Sequence, residues 1–105
     1  MSKWRRYEIL LPLRFNDGRP VPAQYVREII EELRQRFGGV SCDSQTVYGE
    51  WESRGQIYRD ELVRIYTEAV ESVDDSRFFA DLKERLKKKF DQLDIRMTHY
   101  LIEVM

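Results

Sequence analysis

The chain is poor in the residues that specialised chemistry needs. Its 105 residues include one cysteine, Cys42, and one histidine, His99. Together these cannot supply the three or four nitrogen and sulfur ligands of a zinc site, so neither a metal nor a cofactor is expected. The same count rules out an internal disulfide, and a chain of this length can do without one because it buries roughly two-thirds of the surface its unfolded form exposes. Neither sign of charge dominates: eighteen Lys and Arg stand against nineteen Asp and Glu, a formal net charge of -1. No overall field would therefore hold the protein on nucleic acid. Long apolar runs are also missing, and no uncharged stretch approaches the ~20 residues that cross a bilayer. Lys3, Arg5 and Arg6 do precede an apolar run, but residues 9–13 are too few for a signal peptide, Glu8 comes first, Pro12 interrupts, and no small-x-small cleavage site follows. The expected protein is soluble and cytoplasmic, with Cys42 reduced and no membrane partner.

What the chain does have is an ordered succession of hydrophobic periods. Tyr7, Ile9, Leu11, Leu13 and Phe15 alternate, whereas Val26, Ile30, Leu33 and Phe37 recur three or four apart. Val63, Ile65 and Thr67 alternate again before Phe79, Leu82, Leu86, Phe90 and Leu93 return to helical spacing. With a polar strand over residues 40–48 and a last strand over 95–104, the order reads β-α-β-β-α-β. This predicts a single α+β domain over residues 1–105, a ferredoxin-like split βαβ: a four-stranded antiparallel sheet with two helices on one face. Asn16-Asp17-Gly18 makes the first turn, and Pro22 suits the start of a helix over residues 22–37 that closes on Gly38-Gly39. Residues 49–55 read as the turn of a long hairpin into a strand over residues 57–67. Asp74-Asp75-Ser76 offers capping oxygens to a second helix that runs to about Phe90, with Lys87, Lys88 and Lys89 in its last turns. In the usual strand order of this fold the first strand is central, where Pro12 would remove a ladder hydrogen bond; a bulge or one-sided pairing is expected there.

The second face of such a sheet is the candidate working surface. If Ile9, Leu11, Leu13, Val63 and Ile65 face the helices, the two-residue period sends Leu10, Arg14, Leu62, Arg64, Tyr66 and Glu68 to the open side. Exposed apolar area mixed with aromatic and Arg residues is what interfaces use. Trp51, near the hairpin tip, either packs on Tyr58 or anchors a partner. His99 alternates with Met97 and Leu101, which reads as a packed histidine rather than a general base, and Cys42 reads as a small, partly buried side chain. The acidic pairs Glu31-Glu32, Asp60-Glu61 and Asp74-Asp75 point apart on helix or strand, so they solvate or cap. The basic run from Lys83 to Lys89 is interleaved with acids and reads as a solvated helix face, and residues 56–63 lack the stacking aromatics of an RNA-recognition strand.

A strand ending in Phe15, then Asp17-Gly18 and Val21, a helix closing on Arg36-Phe37-Gly38, and Gly49-x-Trp51, Gly55 and Arg59-Asp60-Glu61 ahead of an apolar strand together resemble small bacterial domains of unknown function with a ferredoxin-like fold. Members of that family are often exported, whereas this chain shows no signal. The resemblance implies the fold and transfers no activity or site residue. The function expected from the residues is a non-enzymatic binding module that forms a homodimer through the open sheet face, with Leu10, Arg14, Trp51, Leu62, Arg64 and Tyr66 at the interface. A small-molecule enzyme or ligand binder of the dimeric α+β barrel type, its pocket lined by Arg64, Tyr66 and His99, is the alternative. Nucleic-acid binding comes third. With one Cys and one His, the purified protein should keep its circular dichroism spectrum and melting temperature in a chelator or a reductant. Stoichiometric tightly bound zinc, or loss of structure on reduction, would contradict this.

Overall fold

The computed structural model describes residues 2–43 and 45–105. Along the chain run strand β1 (Trp4–Pro12), helix α1 (Ala23–Phe37), strands β2 (Ser41–Cys42), β3 (Val47–Ser53) and β4 (Gln56–Val70), helix α2 (Val73–Lys89) and strand β5 (Met97–Ile102). The architecture is α+β: two helices and one antiparallel sheet of five strands, in the order β2-β4-β1-β5 with β3 also paired to β4. Among the described residues no helix is long and apolar enough to cross a membrane.

Five strands replace the four expected because the polar edge strand is broken. Cys42 pairs with Ile65 and Val47 with Leu62, so the edge chain advances five residues while β4 advances three. The surplus interrupts the ladder, as bulges do at sheet edges, and yields β2 and β3; Ser44, inside the break, lies outside the described residues. The expected turn over residues 49–55 is mostly strand as well. Only Arg54 and Gly55 turn, with φ of 52° and 78°, and Ser53 pairs with Gln56 across them. Two consecutive positive φ values make the primed hairpin turn whose twist matches its strands.

The helix ends follow local chemistry. Pro22 precedes α1 without a side-chain cap, and Gly38 closes it at φ 85°, donating its N–H to the Arg34 carbonyl at 2.8 Å. Ser72 rather than residues 74–76 caps α2: its Oγ accepts from the Asp74 N–H at 3.2 Å, which leaves Asp74 and Asp75 in the first turn and Lys87, Lys88 and Lys89 in the last, both favoured by the helix dipole.

The core lies between the helices and one face of the sheet. Tyr7, Ile9 and Leu11 of β1 and Ile65 of β4 are buried against Ile29 and Leu33 of α1 and Phe79, Leu82 and Leu86 of α2, with Phe90 and Ile95 closing the end. A column of rings runs through it: Tyr7 stacks on Phe79 at 3.9 Å between centroids, and Phe79 stacks on Phe37 at 5.4 Å. Thr67 is buried too, and its hydroxyl donates to the Gly39 carbonyl at 2.6 Å, tying β4 to the end of α1.

Pro12 is tolerated because pairing has become one-sided. Leu10 donates to Arg96 on the β5 side and Leu13 to Glu61 on the β4 side. By alternation the Pro12 nitrogen faces the β5 side, where the ladder has already ended at Ile9 with Met97. On its other side Pro12 pairs with Leu62, the last β4 residue that β1 reaches. Residues 56–60 of β4 therefore have only β3 beside them and form, with it, a two-stranded arm.

Leu33 is fully buried between α1 and the sheet. Leu33→Ala should cost about 2–5 kcal/mol in urea denaturation. A loss below about 1 kcal/mol would mean that the site collapses around the missing methyls.

Candidate functional site

Register decides what the uncovered face carries. β1 sets Arg6 opposite Glu68, Glu8 opposite Tyr66, Leu10 opposite Arg64 and Pro12 opposite Leu62; β5 adds Thr98 beside Glu8 and Tyr100 beside Arg6. Since Tyr7, Ile9, Leu11 and Ile65 occupy the core, these residues project to the opposite side. Among the described residues no helix lies over that side.

The middle of the face is a network of compensated charges. The Arg64 guanidinium donates through Nε and Nη2 to the two Asp43 carboxylate oxygens, at 2.9 and 3.3 Å, and through Nη1 to Glu8 Oε1 at 3.2 Å. Glu8 Oε1 also accepts the Tyr100 hydroxyl at 2.9 Å, so the chain of bonds runs from Asp43, just past β2, across β4 and β1 to β5. Arg6 pairs with Glu68 through Nε at 2.7 Å. The hydrogen bond to Asp43, followed by the charges of Asp43 and Glu8, raises Arg64 above the ordinary guanidinium value against the opposing effect of burial; Glu68 does the same for Arg6. Tyr66 sits between them, its ring centroid 4.8 Å from Arg6 Cζ and 5.0 Å from Arg64 Cζ.

Towards the arm the face turns apolar. Leu10, Pro12 and Leu62 form the floor of a cleft of about 510 Å³, with Trp51 on one wall and Arg96 on the other. Trp51 is 46% exposed, stacks on Tyr58 at 4.4 Å and 16°, and donates its Nε1–H to Asp60 Oδ2 at 2.9 Å. Trp51 thus packs on Tyr58, the first of the two outcomes expected for it, and stays half open to solvent. A second cleft, of about 940 Å³, flanks the arm and is lined by Arg14, Phe15, Tyr48 and Leu93 among others.

Leu10, Leu62, Arg64 and Tyr66 therefore share one half-buried surface, with Trp51 at its end. Arg14 stands apart from them. β1 ends at Pro12, so the two-residue period no longer applies at position 14, and Arg14 reaches Glu61 at 3.5 Å in the second cleft. His99 also departs from the alternative pocket: it pairs with Tyr7, on the helix side, opposite to Arg64 and Tyr66. Its ring lies 5.5 Å from that of Tyr7, and its Nδ1 accepts from Arg5 Nη1 at 2.8 Å, which places the ring proton on Nε2. Cys42 is exposed rather than partly buried, because β2 is a two-residue edge strand. Desolvation of its sulfur and the neighbouring Asp43 charge raise the thiol, the reverse of what activates a nucleophile.

Four members of the network, Arg6, Glu8, Asp43 and Tyr100, were missed in the sequence. Arg6 and Glu8 carry a signal, since they share parity with Leu10. Asp43 carries none, because it reaches Arg64 from the broken edge strand.

Solved structures of low sequence identity share this fold. A phage SAM lyase in complex with S-methyl-5′-thioadenosine matches at 18% identity and a TM-score of 0.67, over 99% of this chain and 92% of its own. CutA from Synechococcus elongatus matches at 9% and 0.62, over 97% of this chain and 79% of its own. The B. subtilis GlnK–ATP complex matches at 19% and 0.53, over 97% and 84%. At such identities the likeness shows the fold alone, a small α+β fold of the ferredoxin-like type. No family model and no curated protein matches the chain.

Glu8 accepts from both Arg64 and Tyr100 while its side chain is 17% exposed. Glu8→Gln should lower stability by about 1–2 kcal/mol in urea denaturation, whereas Glu50→Gln, on an exposed pair of the arm, should change it by less than about 0.5 kcal/mol. Equal effects would show that the network contributes no more than an ordinary surface pair.

Proposed function

We propose that this chain is a cytoplasmic, non-enzymatic binding module that pairs with a second copy of itself through the uncovered face of its sheet. The observation that supports this is the composition of that face: Leu10, Leu62 and Trp51 form an apolar end, and Tyr66 and Tyr100 lie among paired guanidinium groups. Aromatic and Arg residues around an apolar centre are the usual make-up of an interface. Two such faces, related by a twofold axis, could bury on the order of 1,200–2,000 Å² in total, the size of a specific dimer. Because Arg6 and Arg64 are already paired with carboxylates, the same face offers nucleic acid little free positive charge.

A second reading, a binder of a small adenosine-bearing molecule, rests on two of the structural neighbours. One holds S-methyl-5′-thioadenosine and another ATP, in folds that match nearly the whole of this chain. The two readings are compatible. The enzyme variant that uses Arg64, Tyr66 and His99 in one pocket is not carried forward, since His99 lies on the other side of the sheet.

Tyr66→Glu should abolish self-association without unfolding the chain, because Arg6 and Arg64 flank the position and would pair with the new carboxylate. Sedimentation velocity should give a dimer for the natural chain and a monomer for the variant. A monomer for both at high concentration, or a dimer for both, would overturn the interface.

A further inference from the structure

We propose that the cleft between the arm and the connection from α2 to β5 is a nucleoside site that selects a neutral or cationic 5′ substituent over a polyphosphate. This inference rests on the reading of the chain as a binder of an adenosine-bearing molecule and assigns that ligand a place and a charge.

The cleft has the parts a flat, polar-edged ring requires. Its volume, about 510 Å³, falls in the range of small-molecule sites. Leu10, Pro12 and Leu62 supply an apolar floor, and Trp51 supplies an aromatic wall for a base. That wall is prearranged, since the Tyr58 stack and the hydrogen bond to Asp60 hold the indole from two sides. Gly49 keeps the space open: a Cβ there would lie 3.3 Å from Leu62 Cδ1, and Gly49 is not among the glycines with positive φ. The residue is therefore small for room rather than for backbone freedom.

The charges choose among nucleosides. Asp60 has, among the described residues, no cationic partner; Oδ2 accepts from Trp51, and the other oxygen is left to accept from a ribose hydroxyl. Asp94 lines the cleft as well, paired with Lys83 at 3.1 Å, whereas the Glu50 carboxylate meets Arg59 at 2.7 Å on the other side of the arm. Burial works against the charge of Asp94, but the Lys83 ammonium, the Ile95 N–H and the Lys87 charge together hold the carboxyl below its ordinary value. Arg96 is the only basic residue in the lining. Asp60 offsets Arg96, and Lys83 neutralises Asp94, so the cleft has no surplus of positive charge for a triphosphate, and neither helix begins at the cleft to cradle phosphate with backbone N–H groups. A neutral or cationic 5′ group needs neither.

Isothermal titration calorimetry with S-methyl-5′-thioadenosine and with ATP tests the proposal. The natural chain should bind S-methyl-5′-thioadenosine at least about tenfold more tightly than ATP. Trp51→Ala should weaken that binding by at least about tenfold. Gly49→Val, which fills the cleft beside Leu62 and leaves the Trp51 stack in place, should do the same if the alanine variant unsettles the arm. Tyr48→Ala, in the other cleft, should leave binding unchanged. Binding that survives both cleft variants overturns the site while the ligand reading stands. ATP binding as tightly as S-methyl-5′-thioadenosine overturns the charge selection. Failure of both probes to bind removes the ligand reading and this inference with it.

Discussion

Tyr7 stacked on Phe79, and Phe79 on Phe37, joins β1, α2 and α1 in one column of rings, and the rest of the molecule is arranged around it. Two parallel ring contacts between three elements fix the side of β1 that faces the helices. Once Tyr7 is inside, the two-residue period leaves no choice for its neighbours: Ile9 and Leu11 follow it in, and Arg6, Glu8 and Leu10 go out. A slip of one residue would bury Arg6 and Glu8 and expose Tyr7, which is why the register is strongly specified although the outer face is polar. The candidate site is thus a by-product of the core. Glu8 meets Arg64, and Arg6 meets Glu68, because Tyr7, Ile9 and Ile65 meet the helices.

The second constraint is length. β4 has 15 residues and β1 only 9, so β4 outruns its neighbour. A two-stranded hairpin is marginal in water by itself, and the arm compensates through cross-strand pairs: Trp51 on Tyr58 on one side, Glu50 with Arg59 on the other. Where the arm leaves the body, the chain on either side cannot follow it, and a cleft opens on each face. Arg14 bridges one of these gaps to Glu61, and the connection from α2 walls the other. Both clefts follow from the mismatch between two strands.

The hydrophobic periods carry the part of this structure that burial decides. Leu11, Leu33, Ile65, Leu82 and Leu86 lie in the core, with Val63 partly buried against it, because an apolar side chain at the right spacing has one favourable place to go. Gly38 ends α1 where its left-handed φ allows. What burial does not decide was hidden. The break between β2 and β3 costs only edge hydrogen bonds to water, so no apolar pattern marks it. Turn-like Gly49 proved to be a strand residue chosen for space beside Leu62, a three-dimensional reason that local sequence cannot express. Charged residues read as a solvated helix face also acquired partners: Arg85 donates to Glu32 and Lys89 to Glu28, clasping α2 to α1. Pairs this exposed contribute little to stability, and no apolar period accompanies them.

Leu10 and Leu62 belong both to the uncovered face and to the floor of the cleft beside the arm. A second copy seated on the face would therefore touch the cleft, and under the two proposals the two binding events would share free energy. If the second copy roofs the cleft, ligand and partner reinforce one another; if its side chains fill the floor, they compete. Linkage makes the effect reciprocal in either case, since a ligand that changes the dimerisation constant has its own affinity changed by the same factor. The polar network sharpens this coupling. Arg64 is held by Asp43 and Glu8, so a partner cannot recruit it without leaving carboxylates unpaired. In the proposed dimer the centre of the face would set geometry and specificity, while the apolar end by Trp51 is where area can still be buried.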